Sequence, residues 1–363
     1  MPTKSRVYPC VARDFLSDSS EITCMADFFP ASNYPGIFAT HEWVDAWQNA
    51  WSECAAIEVV QPHADSDNCR DGFYRYTQSR LHLIKITTLF PAGISTPASP
   101  SLRSEYFNLQ QELVGTFLTS ARSFKWDQLY IPDLMLASPH YLHLCATAEA
   151  VGLNIIVRDH SVSYAVRLCD NNFADYLKGL GSNTRLKLFN KRKKLYQLGE
   201  VRVENLWPQV DEFIALLNQF HLQRWGKPCY AGRNLLQITG FLKNIAVAGA
   251  VPDLSVIYCN DEAVSAVLDL EYRGRIYNIQ SGYREKFQDG ISLGTLHFGF
   301  QLEKAFISGA EYYDFMAGNG KNSDYKKSLA THSATLVSVM VVRSKLLRTM
   351  YAVKDLLNRL KKR

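Results

Sequence analysis

Between Tyr283 and Lys326 the chain sets Gly290 and Gly294 around the start of an apolar-periodic helix. An Asp-Phe pair, two further glycines and a Tyr-Lys pair follow. A helix opened by Gly290-Ile-Ser-Leu-Gly294-Thr295 points unencumbered N–H donors outward from the positive end of its dipole, which is where anions bind. That turn, with Ser292, Leu293 and Thr295, suits a pyrophosphate. The same residues also fit a plain N-cap at Ser292, with glycines that only permit the turn. Asp314 ends a short strand beside this helix. It could orient or deprotonate a nucleophile, or cap the loop carrying Gly318 and Gly320. Tyr325 has a hydroxyl suited to protonating a leaving group, though it fits a core equally well. Lys326 could hold a phosphate or carboxylate.

Three strand signals precede this stretch, joined by Asn260-Asp261 and Arg273-Gly274, which read as hairpin turns. Period two along Val264 to Tyr272 puts Asp269 and Glu271 on one face, with Val264, Ala266, Leu268 and Leu270 on the other. Either carboxylate could be a general base, or the pair could be solvated. On the next strand Asn278, Gln280 and Ser281 are polar in a segment that should be buried, and Tyr283 closes it. His297, in the helix's first turn, reads as structural. Further upstream, Arg185, Lys187, Lys191, Arg192, Lys193 and Lys194 interleave with Leu186, Leu188, Phe189, Leu195 and Leu198. At helical spacing this is either a solvated face or a clamp for an anionic acceptor or a ligand's phosphates. The same cations could meet nucleic acid, but no stacking-aromatic motif accompanies them and no DNA partner is expected.

The length of 363 residues sets a prior of two domains, or one with an appendage. With 47% hydrophobic and 21% charged residues the chain is ordinary globular material, and a net charge of +5 does not by itself imply nucleic acid. The eight cysteines contain no C-x-x-C pair, so neither a zinc site nor a disulfide scaffold is expected, and no metal. They read as scattered thiols of a reducing compartment. The opening MPTKSRVYPCVARDF lacks an apolar h-region, and no run approaches the about 18 apolar residues that span a bilayer. The expectation is cytoplasmic.

Residues 1–35 read as an irregular segment, 36–152 as a first α/β domain and 153–343 as a second. In the first domain a helix carries Trp43 and Trp47, and strands run from Ala56 to Gln61 and from Arg80 to Leu89 around the polar insertion HADSDNCRDG. A loop, PAGISTPASP, a helix over 104–123, a strand at 128–131 and a helix over 139–151 follow. The second opens with strands at 154–159 and 163–168. A faint echo links the two: helix then WDQLYIPD in the first, helix then AEYYDFMAG in the second. Prolines in the first domain's turn remove donors where the second has glycines, so only the second should bind pyrophosphate this way. Residues 344–363 form a basic amphipathic helix, docked on its own domain or set peripherally against anionic lipid on the inner face of a membrane.

The order of the Gly290 turn, Asp314-Phe315, Gly318, Gly320 and Tyr325-Lys326, with SNTRLKLFNKRKKLYQLGEV upstream, resembles the CelD-like branch of the GNAT N-acetyltransferases. It is also similar to the tandem-GNAT, Fem-type peptidyltransferases. The common GNAT signature has Gln or Arg, two residues, Gly, one residue, then Gly or Ala; here Gln288-Asp289-Gly290 is compressed and the second glycine lies four residues on. The resemblance implies two tandem GNAT-like domains, each a mixed, mostly antiparallel sheet flanked by helices. It further implies acetyl-CoA or another acyl-CoA as co-substrate. The implied reaction is direct attack of an amine on the thioester, the amine being an amino sugar or another small-molecule or glycan intermediate of envelope or exopolysaccharide synthesis. In that frame Gln280, Ser281, Gly290, Ser292, Leu293, Gly294 and Thr295 hold the cofactor. Arg185, Lys191, Arg192, Asn278 and Tyr283 meet the acceptor, and Asp314, Tyr325, Lys326, Asp269 and Glu271 handle protons and charge. An aminoacyl-tRNA-dependent transferase and a non-catalytic binding module are the rival expectations.

Overall fold

A computed structural model describes residues 36–54, 57–60, 73–80, 84–91, 93, 118, 125–136, 138–317 and 321–361. The N-terminal segment 1–35, the insertion at 63–72, most of the 91–100 loop and of the 104–123 helix, and Gly318 and Gly320 lie outside the described residues.

The first half contributes helix α1 (His41–Trp51), strands β1 (Ile57–Val60), β2 (Phe73–Arg80), β3 (Ile84–Pro91) and β4 (Gln128–Met135), and helix α2 (Pro139–Ala150). The single strand expected over 80–89 is instead the end of β2 and most of β3. The second half begins with β5 (Asn154–Arg167) and helix α3 (Phe173–Gly179). The basic segment follows as α4 (Ser182–Arg185), a π-helical turn (Leu186–Asn190) and α5 (Arg192–Tyr196). Then come β6 (Val201–Asn205), α6 (Val210–Trp225), α7 (Gly232–Asn244), β7 (Val251–Cys259), β8 (Glu262–Tyr272), β9 (Arg275–Tyr283), α8 (Leu293–Ser308), β10 (Tyr312–Ala317), α9 (Lys321–Leu329), β11 (His332–Val342) and α10 (Lys345–Lys361).

Among the described residues, eleven strands form one mixed sheet in the order β1-β2-β3-β4-β11-β5-β10-β9-β8-β7-β6. Among the described residues only β3·β4 and β9·β10 pair in parallel, one such pair in each half. The echo read in the sequence therefore has a counterpart in topology. At the centre, β11 of the second half pairs with β4 of the first on one side and with β5 on the other, and β5 in turn pairs with β10. The sheet runs unbroken across the expected boundary at 152/153. β5 is one long strand where two segments were expected, because its polar middle, His160-Ser161-Val162, pairs in register with Val337-Leu336-Thr335.

Local chemistry accounts for the central meander. Asn260, Asp261, Arg273 and Gly274 all have positive φ, so both two-residue turns follow the right-handed strand twist. α6 and α7 cover one face of β7–β9 through Phe213, Leu217, Phe241, Leu254, Val256, Ala266 and Leu268. α8 covers the other, with Leu293 and Leu296 against Leu195, Ile257, Cys259 and Val264. Val264 thus departs from the expected alternation. Ser265 opposes Ile257 and Ala263 opposes Tyr258, so Val264 is the extra residue of a bulge and joins the α8 face.

Candidate active site

The site is built where β9 and β10 part. Their parallel pairing runs Tyr312↔Arg275, Tyr313↔Ile276, Asp314↔Tyr277 and goes no further. From Asn278 onward β9 keeps, among the described residues, only β8 as a ladder partner, and Ile279 is the unpaired residue of a bulge between Asn278↔Asp269 and Gln280↔Leu268. β10 bends away as well, since Phe315 and Met316 interrupt its register with β5 and Met316 has φ +60°. A β-branched or bulky residue rarely takes such a conformation without support.

The support is visible. Asp314, fully buried, accepts a hydrogen bond from Met316 N–H at 2.7 Å and another from Ser163 Oγ at 3.3 Å. Its second oxygen pairs with Arg275 at 2.7 Å, joining the closed ends of the two strands. Lys326, also buried, donates to the carbonyls of Met316 and Ala317 at 3.0 and 3.1 Å. Asp314 and Lys326 therefore shape the split in the sheet, with their charges committed to it. Tyr325 and Lys326 lie on α9, where the sequence suggested a loop.

Asp269 is buried on the α8 face, accepting from Asn278 at 2.7 Å, Tyr313 at 2.7 Å and Gln301 at 3.0 Å. Burial pushes its pKa up to about 7, against the pull of those three donors. Asn278 is committed to that network. Glu271 is half-buried and sits opposite Ile276, in the part of β9 still paired with β10. It lies away from the open edge. His297 is fully buried between Ser255 Oγ (2.9 Å) and Ser265 Oγ (2.8 Å), and burial pushes its pKa down to about 3, so it is neutral.

At the mouth, Gly290 takes φ +73°, a left-handed turn that only glycine enters freely. Ser292 occupies the N-cap position of α8 without capping the backbone; its Oγ meets Thr295 Oγ1 at 3.1 Å. Among the described residues the amides of Leu293, Gly294 and Thr295 have no acceptor. A Cβ at Gly290 would stand 3.5 and 3.6 Å from the ammonium nitrogens of Lys194 and Lys191, so two cations flank the open helix end. They reach it because Gly299 admits the π-helical turn: a Cβ there would lie 2.0 Å from the Leu188 carbonyl oxygen. Arg192 instead packs along α8, paired with Glu303 and stacked over Phe300 at 3.8 Å. Arg185 is half-buried at the end of α4.

Gly294 is occupied sterically by Tyr283, whose ring carbon would lie 2.7 Å from a Cβ. Tyr283 also carries the Arg224 guanidinium at 4.8 Å. Tyr325 stacks on Phe298 at 5.8 Å, and its pKa is pushed up to about 12, chiefly by burial and also by Tyr283. Tyr283, Tyr325 and the first turn of α8 thus come together, as the sequence reading grouped them.

One residue at this edge escaped that reading. His221, half-buried on α6, meets the Ser281 carbonyl with Nε2 at 2.9 Å, so Nε2 carries the proton; Nδ1 has no hydrogen-bond partner among the described residues. The Ser281 N–H is taken by Gln280 Oε1 at 3.1 Å. Burial, then Arg224, holds the His221 pKa below the usual imidazole range. The missed signal is positional. His221 and Arg224 continue the stripe Phe213, Leu217, Phe220 with polar side chains. Among the described residues, no group of three or more His, Cys, Asp or Glu side chains converges as a metal site.

Residues 182–327 match the family model described as "Acetyltransferase (GNAT) domain". No curated protein matches the chain. Among solved structures, the chain is similar to FemX, at 11% identity and a TM-score of 0.54 over 85% of this chain and 97% of that one. A conserved protein of unknown function from Bacteroides thetaiotaomicron aligns at 10% identity and TM-score 0.50, over 84% and 90%. The C-terminal domain of a putative lysylphosphatidylglycerol synthetase from Agrobacterium fabrum aligns at 10% and 0.50, over 87% and 95%. These likenesses concern the fold. It is the α/β architecture expected, with a mixed, mostly antiparallel sheet and flanking helices.

Proposed function

We propose that the second half of this chain is an acyl-CoA-dependent N-acyltransferase acting on an amine acceptor. The observation that carries this reading is the open first turn of α8, with three acceptor-free amides beside the Lys191 and Lys194 ammoniums. It lies against Tyr283, at the far end of the stretch of β9 that has no parallel neighbour among the described residues. Such an end fits a diphosphate through directed donors, the helix dipole and paired cations. The unpaired edge of β9 fits an extended amide-bearing arm by strand addition, once the Gln280 side chain yields the Ser281 N–H. Bound acyl-CoA would supply the electrophilic thioester carbonyl. His221 Nδ1, a neutral imidazole nitrogen at that edge, takes the proton from the attacking amine. Tyr325, kept protonated by burial, delivers one to the departing sulfur. Asp314, Arg275 and Lys326 hold the strands apart, and Asp269 fixes Asn278 and Tyr313 behind the bulge. Amino sugars and envelope intermediates head the acceptor panel.

Calorimetric titration of the full chain with coenzyme A and with acetyl-CoA tests the reading. Binding should be measurable and should weaken at least tenfold in the Lys191→Gln/Lys194→Gln variant, since charge-assisted hydrogen bonds are worth about 1.5–3 kcal/mol each. No heat with either ligand, together with transfer abolished by ribonuclease, would move the assignment to an aminoacyl-tRNA-dependent transferase.

A further inference from the structure

We propose that α10 is a docking surface for an anionic lipid bilayer, separate from the transfer reaction. Among the described residues the helix is attached to the body by one side. Leu347 is buried beside Ile86, Met340 and Val342, and Tyr351 donates to Gln128 Oε1 at 2.6 Å. Arg348 donates to the carbonyls of Val342 and Gly152 at 3.1 and 3.0 Å. The remaining apolar side chains are left in water: Leu346, Met350, Val353, Leu356, Leu357 and Leu360 are 44–58% exposed. Five of them, at 346, 350, 353, 357 and 360, advance by four and three residues alternately and so form one continuous stripe. Of the two placements open to the sequence, this stripe stands exposed and is not covered by the described residues of its own domain.

The charge pattern selects the occupant. From Lys345 to Arg363 the chain carries seven cations and one acid, Asp355, a net +6 (seven minus one). Lys354 is exposed one turn from both Met350 and Leu357, and Lys345 is exposed on the row that leads to Leu356, so ammoniums border both sides of the stripe. A second copy of the helix packed on the same seam would set these lysines against each other with almost no acid to pair. An anionic bilayer accepts both features at once, apolar side chains below the headgroups and lysines reaching up to phosphates. No helix among the described residues is long and apolar enough to cross a membrane, so the contact lies in the interface plane.

Co-sedimentation of the full chain with phosphatidylcholine vesicles, with and without one-third phosphatidylglycerol, tests this. The protein should pellet with the anionic vesicles and stay in solution with pure phosphatidylcholine. Lys345→Gln/Lys354→Gln should weaken the partition on the order of 30-fold, at about fivefold per cation near such a surface. Val353→Glu/Leu357→Glu should abolish it while leaving the circular dichroism spectrum and coenzyme A binding unchanged, because both residues face water. Equal pelleting by parent and Val353→Glu/Leu357→Glu would overturn the proposal. So would a dimer in sedimentation velocity that this variant dissociates, because the stripe's partner would then be a second copy.

Discussion

Two buried groups on the α8 face should make the stability of this protein depend on pH in opposite directions. His297 has a pKa of about 3 in the fold, against an ordinary 6.5. Between those values the unfolded chain binds a proton that the folded protein refuses. Its contribution is therefore complete above pH 6.5 and is lost as the pH falls toward 3. Asp269 has a pKa of about 7 in the fold, against 3.8 ordinarily, so the folded protein keeps a proton that the unfolded chain has released. Its contribution is complete below pH 3.8 and is lost as the pH rises through 7. Each slope is about 1.4 kcal/mol per pH unit, and between roughly pH 4 and 6.5 the two cancel. Substitution separates them. Relative to the parent, His297→Asn should lose about 2–3 kcal/mol more at pH 6.5 than at pH 4.5, and Asp269→Asn should shift by a similar amount in the opposite sense. Urea midpoints at three pH values in that range measure both. Each variant also loses hydrogen bonds at every pH, so the trend of the difference is diagnostic, not its size. Differences that stay constant to within about 0.5 kcal/mol across the range would refute the reasoning and show both groups titrating as if in water.

Asp314→Asn should cost about 3–5 kcal/mol by leaving the Arg275 guanidinium buried opposite an amide, with partial recovery in Asp314→Asn/Arg275→Met; a urea-measured loss under about 1 kcal/mol would show that the pair is hydrated. His221→Gln keeps a donor for the Ser281 carbonyl but lacks a base. It should lower kcat/KM and flatten the acid limb, which in the parent lies below pH 6.5 with the rate rising as His221 loses its proton; superimposable pH profiles would remove His221 from the reaction. Gly299→Ala places a carbon against the Leu188 carbonyl, a backbone atom that cannot rotate aside. It should destabilise by about 1–3 kcal/mol and weaken coenzyme A binding as Lys191 and Lys194 are displaced, and an unchanged melting temperature would contradict that packing.

The β7–β9 meander and α8 were legible because their determinants are local: turn residues that accept positive φ, side chains that alternate over most of a strand, and a glycine before an apolar period. Val264 broke the alternation because a bulge depends on how the neighbouring strand is paired. The unbroken course of β5 was hidden for a related reason, since its polar middle is stabilised by β11, far away in sequence. Tyr325 stacks on Phe298 of α8, whereas Lys326 turns to the carbonyls of Met316 and Ala317, and Gly318 and Gly320 disguised the helix both stand on. Asp314 illustrates a further limit. A carboxylate at the end of a strand near a glycine loop reads as a base, and only the position of Arg275 on the adjacent strand reveals it as half of an ion pair. His221 was hidden in an ordinary amphipathic helix, where its place on the buried stripe was the available clue.

The crossing of β5 and β11 at the centre of the sheet bears on how the molecule assembles. The second half lends its closing strand, β11, to the edge of the first, so a chain cut between α2 and β5 would yield two fragments with raw sheet edges at β4 and β11 and complementary needs. They should reassemble on mixing more readily than either remains soluble alone. During synthesis the first half must wait for β11, which emerges after β5–β10, before its inner edge is covered. At high concentration two molecules could trade that strand and leave as an interlocked dimer.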